Sequence, residues 1–326
     1  MAYNVYVTRR IPEPALDLLR RECAIVEVNP EDRCLTRAEL LDQVRGRNGI
    51  LCMLTDIIGE DVLRAAEGAR GFANCAVGYN NFDVAKATEL GLVVANTPGV
   101  LTDATADLGW ALLMAAARRI AEGDRFMRAG GFESWAPMLL LGADITGRTL
   151  GIVGAGRIGA AVARRSRGFD MKVLYCDTSA NPAIEEELGA RRVGLDELLA
   201  ESDFVSVHVP LTEATRHMFG IEQFRRMKRT AIFINTARGP IHDEAALVEA
   251  LRSGLIAGAG LDVYEDEPKM KPGLAELDNV VLVPHIGSAT IGTRTRMATM
   301  AAENLIAMVK GERAPNCVNP QVYEGR

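Results

Sequence analysis

The chain has 326 residues, room for about two domains. Its 48% hydrophobic and 25% charged residues are ordinary for a globular protein, and a net charge of -6 gives no electrostatic reason for nucleic acid or an anionic membrane as partner. The longest apolar stretches, such as residues 110–117, fall far short of the ~20 residues a membrane-spanning helix needs.

Ala2–Val7 reads as a strand entering a core and lacks the charged and apolar regions of a signal peptide. Strand patterns recur at Ala24–Val28, Gly49–Leu54, Phe72–Val77 and Leu92–Asn96. Helical patterns lie between them at Pro12–Glu22, Arg37–Val44, Glu60–Ala66 and Asp83–Glu89. This alternation predicts a parallel sheet with helices on both faces. A long helix is expected over Thr102–Ile120. With little charge in its middle it should be buried, either as a spine between domains or at a subunit interface. An irregular arm follows over Gly130–Gly142, carrying Trp135 and three adjacent leucines. Exposed on a monomer it would be a sticky patch, so it too reads as interface.

From Thr149 the alternation resumes, with strands at Leu150–Val153, Lys172–Cys176, Arg192–Val193, Phe204–Val209, Ala231–Asn235, Ala257–Leu261 and Val280–Val283. A last helix is expected over Thr290–Lys310, and a tail rich in Pro and Asn, residues 315–320, should pack back on the first half. The expected domains are therefore discontinuous: 1–98 plus 288–326 form one, and 99–287 form an inserted second. Cys23, Cys34, Cys52, Cys75, Cys176 and Cys317 make no Cys-x-x-Cys and stand near no histidine at metal-ligand spacing. Buried thiols in a reducing cytoplasm are expected, with no metal site.

The strongest local signal is Thr149-Leu-Gly-Ile-Val-Gly154-Ala-Gly156-Arg-Ile-Gly159. A short apolar run leads into Gly-x-Gly-x-x-Gly and a helix-forming run follows. Asp177 ends the next apolar run, at about the ~20-residue distance of a ribose-binding acid. Gly154 permits the tight turn, Gly156 lets a pyrophosphate approach backbone N–H groups and the helix dipole, and Gly159 lets the helix pack close. Thr178-Ser179-Ala-Asn follow Asp177 and bring no cation before Arg191, so NAD(H) is expected over NADP(H).

Four histidines limit the search for a proton donor. His208 lies in an apolar run and reads as core or wall; His217 and His242 read as surface or loop positions. His285 follows Val280-Val-Leu-Val-Pro284 at the carboxyl end of a strand, where ligands bind in open α/β sheets. Arg238 and Glu267 follow two other strand ends. Together they make a coherent set: a guanidinium fork for a carboxylate or polarised carbonyl, an imidazole to deliver a proton, and a carboxylate to orient it and stabilise its charge. With a nicotinamide this is equipment for reducing a 2-oxo acid.

At these residues the chain resembles the D-isomer-specific 2-hydroxyacid dehydrogenases over essentially its whole length. The resemblance rests on Val77-Gly-Tyr-Asn-Asn-Phe-Asp83, Asn96-Thr-Pro-Gly, Thr102-Asp-Ala-Thr-Ala-Asp-Leu, the glycine loop, Ser202-Asp-Phe, Ile234-Asn-Thr-Ala-Arg-Gly, Ala259-Gly-Leu-Asp-Val-Tyr-Glu and Pro284-His-Ile-Gly-Ser-Ala-Thr. It implies an α/β fold of two parallel-sheet domains, a Rossmann dinucleotide-binding domain inserted into a flavodoxin-like substrate domain. It implies catalytic roles for Arg238, Glu267 and His285 and a homodimer through about 102–147. Cofactor contacts would fall on Gly154, Gly156, Arg157, Ile158, Gly159, Asp177, Val209, Pro210, Thr105, Thr215, Thr236, Ala237, Asp262 and Gly287. Leu51–Asp56, Leu101–Ala106 and Gly131–Pro137 are most similar to the glyoxylate/hydroxypyruvate reductase branch. By that likeness Val77 and Gly78 would offer amides to a substrate carboxylate, Leu54 would wall the pocket and Ser288 would contact a hydroxymethyl group. Trp135 would either reach the partner's active site or simply pack the interface. The alternative is a module that binds NAD(H) as a co-repressor does, without significant turnover.

Overall fold

The computed structural model describes residues 3–324; Ala2, in the first expected strand, and residues 1, 325 and 326 lie outside the described residues. The chain divides into two compact units, Thr102–Gly287 and the sequence on either side of it. The first boundary falls at 101/102, against 98/99 expected from the sequence.

In the split unit five parallel strands, β1 (Asn4–Val7), β2 (Ile25–Val28), β3 (Gly49–Cys52), β4 (Gly71–Asn74) and β5 (Val93–Ala95), lie in the order β2-β1-β3-β4-β5. This is the flavodoxin-like order, with its switch point between β1 and β3. β3 and β4 are buried along their whole length, as strands covered on both faces must be, whereas edge strand β2 alternates. The connecting helices are α1 (Glu13–Glu22), α2 (Arg37–Gln43), α3 (Glu60–Ala65) and α4 (Val84–Glu89). Thr36 and Glu39 close a capping box on α2, and Asp83 caps α4. The last helix, Ile291–Lys310, starts on the Thr290 cap and stops at left-handed Gly311. It covers β3 so closely that a Cβ at Gly49 would stand 2.6 Å from Leu305. The following tail runs along β5. Val318 donates its amide to Val94 O, and Asn319 accepts from Val94 N and donates to Leu92 O and Thr88 Oγ1. The sheet edge is thereby closed.

The inserted unit begins with α5 (Thr102–Ala117) and α6 (Ile120–Arg128). The single helix expected over 102–120 therefore breaks: Arg119 is left-handed (φ 53°) and ties its guanidinium to Glu122 inside α6. The apolar length of α5 is explained within its own unit, since it packs on the sheet. Trp110 donates to Val162 O (2.9 Å) and stacks on Phe169. The arm after α6 is irregular, and its Trp135 and Met138 are 79% and 76% exposed.

Seven parallel strands follow: β6 (Thr149–Val153), β7 (Lys172–Cys176), β8 (Arg191–Arg192), β9 (Phe204–Val207), β10 (Ile232–Asn235), β11 (Gly258–Leu261) and β12 (Val280–Leu282). Their order, β12-β11-β10-β9-β6-β7-β8, is that of a dinucleotide-binding sheet with one further strand at its edge. The helices are α7 (Arg157–Arg165), α8 (Pro182–Leu188), α9 (Leu195–Glu201), α10 (Ile221–Arg226) and α11 (Glu244–Arg252). One face of the sheet is filled around Phe219, Phe224 and Phe233, the other around α5, α7 and Tyr175. The run expected as a strand through Val209 stops at Val207, because Pro210 cannot continue a central ladder. Among the described residues no helix is long and apolar enough to cross a membrane.

Candidate active site

At the switch point of the inserted unit, between β6 and β9, the glycine loop turns into α7. Gly154 is left-handed (φ 94°), and a Cβ there would meet the Val209 amide at 2.7 Å. A Cβ at Gly159 would meet Gly154 O at 2.0 Å. Gly156, by contrast, faces open space at the first turn of α7, with Arg157 and Ile158 beside it. Two glycines thus bring backbones together and the third leaves a cradle lined by N–H groups, which fits a pyrophosphate. Beside it, Thr215 Oγ1 accepts from Thr212 N and donates to Pro210 O, so its hydroxyl shapes the loop that follows β9.

Asp177 stands at the end of β7 beside the glycine loop, where an adenosine ribose would lie. Its Oδ2 accepts from Ala155 N inside the glycine loop (2.7 Å), and its Oδ1 accepts from Ser179 N (3.2 Å). No cation follows this acid before Arg191 in the sequence, and the neighbouring strand then brings one to it. Arg192 on β8 reaches back and donates to the carbonyls of Asp177 (2.9 Å) and Thr178 (2.8 Å). Strand pairing brings the two together across fifteen residues, a proximity that local sequence does not carry.

The nicotinamide end would be framed by Thr105, Thr236, Ala237, Asp262 and Gly287, all in this unit. Thr236 Oγ1 is buried without a hydrogen-bond partner among the described residues, an acceptor and donor left for a ligand. Asp262 spends its carboxylate on the amides of Ile286 (2.6 Å) and Gly287 (2.8 Å). Burial raises its pKa, against those two bonds and the charge of His285. These bonds hold the turn that carries His285, itself left-handed at φ 52°.

His285 and Glu267 meet: Nδ1 of the imidazole is 2.9 Å from Glu267 Oε2. Glu267 Oε1 accepts from Tyr264 N (3.0 Å), and Tyr264 in turn donates its hydroxyl to Val283 O (2.9 Å), one turn from the histidine. Burial alone would raise Glu267. The hydrogen bond and charge of His285, the Tyr264 amide and Arg238 outweigh it and hold the carboxyl below its usual range. Arg238, at the end of β10, is half-buried by surface area yet closely surrounded by protein. Burial pulls its pKa down while Glu267 opposes the shift. Gly239 makes the approach of the two segments possible, since a Cβ there would overlap the Tyr264 carbonyl at 1.8 Å. The carboxylate holds Nδ1, so the ring's other proton site is Nε2.

The other histidines differ from expectation in one case. His217 is exposed and bonds Glu265 (2.9 Å). His208 is half-buried on Ser206 Oγ (2.8 Å), and burial pushes it down to about 3. His242, read as a loop position, is fully buried on Asn235 Nδ2 (3.0 Å) and edge-on to Phe233; burial takes it down to about 4. Its polar sequence neighbours concealed a turn folded onto the aromatic core.

In the split unit, Leu54 follows the carboxyl end of β3 and Val77–Gly78 that of β4. Leu54 and the Val77–Gly78 turn are half-buried, as is Ser288 before the last helix. Side chains that the sequence reading did not single out hold them. Asn81 donates to the carbonyls of Met53 (3.2 Å) and Asp56 (3.0 Å), Asn74 to Gly78 O (2.9 Å), and Asn96 to Val77 O (2.8 Å). Asp56 accepts from Thr8 Oγ1 (2.5 Å) and Met53 N (2.8 Å), and burial raises its pKa. Among the described residues no cluster of His, Cys, Asp and Glu could hold a metal ion.

A family model for the NAD-binding domain of D-isomer specific 2-hydroxyacid dehydrogenases matches residues 110–287. The chain is 52% identical to a glyoxylate reductase of Korarchaeum cryptofilum, covering 100% of this chain and 98% of that one. Its fold superposes on a crystal structure of a protein from Thermus thermophilus with a TM-score of 0.90 at 46% identity, covering 97% and 99% of the two chains. It also superposes on an NADPH-dependent glyoxylate/hydroxypyruvate reductase from Sinorhizobium meliloti, solved with NADP and malonate, with a TM-score of 0.84 at 32% identity, covering 98% and 97%. The glycine loop, the acid that ends the next strand, the Arg–Glu–His set at three strand ends and these full-length likenesses agree: the chain belongs to the D-isomer specific 2-hydroxyacid dehydrogenase family.

Proposed function

We propose that this chain reduces glyoxylate to glycolate and hydroxypyruvate to D-glycerate, with NADH favoured over NADPH, as a cytoplasmic homodimer. The observation that carries the reading is the His285–Glu267 pair at 2.9 Å on strand ends of a dinucleotide-binding sheet. A bound reduced nicotinamide supplies the hydride that goes to the carbonyl carbon. His285, held through Nδ1, gives the proton at Nε2 to the carbonyl oxygen. Arg238 stabilises the charge developing on that oxygen and binds the substrate carboxylate. In the split unit, the amides of Val77 and Gly78 offer donors to a substrate carboxylate, Leu54 offers an apolar wall, and Ser288 offers a hydroxyl to the hydroxymethyl group of hydroxypyruvate.

Asp177 supports the cofactor preference, since its carboxylate accepts from ribose hydroxyls and repels a 2′-phosphate. Arg192 beside it tempers that repulsion, so the preference is one of degree. Exposed Trp135, Met138 and Leu141 on the arm support burial against a second copy, and six unpaired cysteines suit a reducing compartment.

The test is a set of initial rates of NADH and NADPH oxidation with glyoxylate, hydroxypyruvate, pyruvate and phosphohydroxypyruvate. Fast NADH oxidation with the first two supports the whole assignment. Tight NADH binding without turnover of any of them would replace it with a dinucleotide sensor.

A further inference from the structure

Glu244 is fully buried at the first position of α11, outside the Arg–Glu–His set. A buried carboxylate costs several kcal/mol unless it is well bonded, so its partners matter. Its Oε2 accepts from Glu265 N (2.7 Å) and its Oε1 from Lys271 N (2.6 Å). Glu265 returns the contact: its Oε2 accepts from Glu244 N (3.3 Å), one of the helix-start amides that no intrahelical carbonyl can satisfy. One carboxylate therefore closes both ends of the strap 265–271, and that strap carries Glu267. Inside it, Lys269 N donates to Asp266 O (2.9 Å) and Lys271 Nζ to Asp266 Oδ2 (2.7 Å). The strap presses on the Arg238 turn through Gly239, where no Cβ fits.

We propose that Glu244 is a positioning residue of the proton-donor pair: it fixes the strap so that Glu267 Oε2 stays on His285 Nδ1. The inference rests on the role of Glu267 given above. A Glu267 that drifts leaves the imidazole free to turn, and the proton then leaves Nε2 from the wrong place. Cofactor binding is untouched, because the glycine loop and Asp177 lie on other strands.

The experiment is a double-mutant cycle on the full-length protein with Glu244→Gln, Glu267→Gln and the double variant. It reads kcat with glyoxylate, NADH Kd by fluorescence titration, and Tm. A glutamine has one acceptor oxygen, so one strap amide loses its partner. Glu244→Gln should lower kcat about tenfold, the loss of one charge-assisted hydrogen bond. NADH Kd should stay unchanged, and the substitution should cost nothing further when Glu267 is already glutamine. Glu265→Ala, which removes the return bond and keeps the Glu244 carboxylate, should lower kcat less, and again only when Glu267 is present; it serves if Glu244→Gln does not fold. Equal losses with and without Glu267 would make the clamp purely structural and overturn the inference. An unchanged kcat in both Glu244→Gln and Glu265→Ala would do the same. A wild-type kcat in Glu267→Gln alone would instead overturn the assignment of Glu267.

Discussion

Each parallel sheet of this chain carries tight turns beyond the carboxyl ends of its strands, and the two sets of turns are built in opposite ways. In the inserted unit, glycines do the work: Gly154 and Gly159 let backbones approach, and Gly156 leaves a space that helix N–H groups line. In the split unit, side-chain amides do it: Asn74, Asn81 and Asn96 hold the carbonyls of the Leu54 and Val77–Gly78 turns from behind. The first turn is defined by what is missing and the second by a buried polar scaffold. A glycine loop is therefore local in sequence, whereas an asparagine scaffold joins segments from three strands' ends. Their acid responses differ in sign as well. All four histidines lie in the inserted unit, while the split unit buries Asp56.

The largest expected effect falls on the inserted unit. His285→Ala should lower kcat by about 10²–10⁴-fold, read from steady-state kinetics at neutral pH, as removal of a general acid does. A near-normal kcat would move the proton donor elsewhere.

The acid response comes next. His242 is neutral in the fold, its pKa lowered from 6.5 to about 4 by burial. The unfolded chain thus binds the extra proton first, so the stability from keeping it neutral is present above about pH 6.5 and is lost as pH falls towards 4. The loss is on the order of 3 kcal/mol. Asp56 has the opposite sign: its raised pKa contributes below 3.8 and is lost as pH rises. His242→Gln should flatten the fall in denaturant midpoint between pH 7 and pH 5. An unaltered slope would assign the acid sensitivity to other groups.

Two substitutions set the glycine loop against the asparagine scaffold. Gly154→Ala forces a side chain into a left-handed position against the Val209 amide, a strain of about 1–3 kcal/mol. NADH Kd should weaken by roughly tenfold, with the KM for glyoxylate measured at saturating NADH little changed. Asn81→Ala strips two carbonyls of their donor, about 1–3 kcal/mol, and should raise the KM for glyoxylate while sparing NADH Kd. If both variants moved the same constant, the division of labour between the two turns would be wrong.

The smallest effect sharpens the ribose end. Arg192→Ala should lower kcat/KM for NADPH by a few fold, as expected for an exposed charge, and leave NADH alone. Parallel losses with both cofactors would show that the arginine only braces the loop.

What the sequence made legible follows the same division. The strand rhythm, the glycine loop, Asp177 and the three strand-end residues are each encoded within a dozen neighbours, and periodicity or spacing reads them. His242 was misplaced because its polar neighbours describe a turn and not the aromatic core beneath it. The break at Arg119 was missed because an apolar run continues across it; only a left-handed residue interrupts it. Arg192, Asn81 and Glu244 act through partners on other elements, and nothing local announces a partner fifteen or more residues away. The arm differs again: Trp135 is legible as an apolar excess and stands exposed.

The closure of strand β5 by residues 316–319, and of β3 by the helix Ile291–Lys310, sets an order of events during synthesis. The five strands leave the ribosome before the inserted unit, but the helix that seals one of their faces and the asparagine that seals their edge are translated after it. The inserted unit is contiguous, so it can reach its native packing while the earlier strands are still uncovered. The nascent chain must therefore shelter an unfinished sheet through the translation of residues 102–287. Slow elongation would prolong that exposure, and a stop soon after residue 287 would release a folded NAD-binding domain tethered to an aggregation-prone half-sheet.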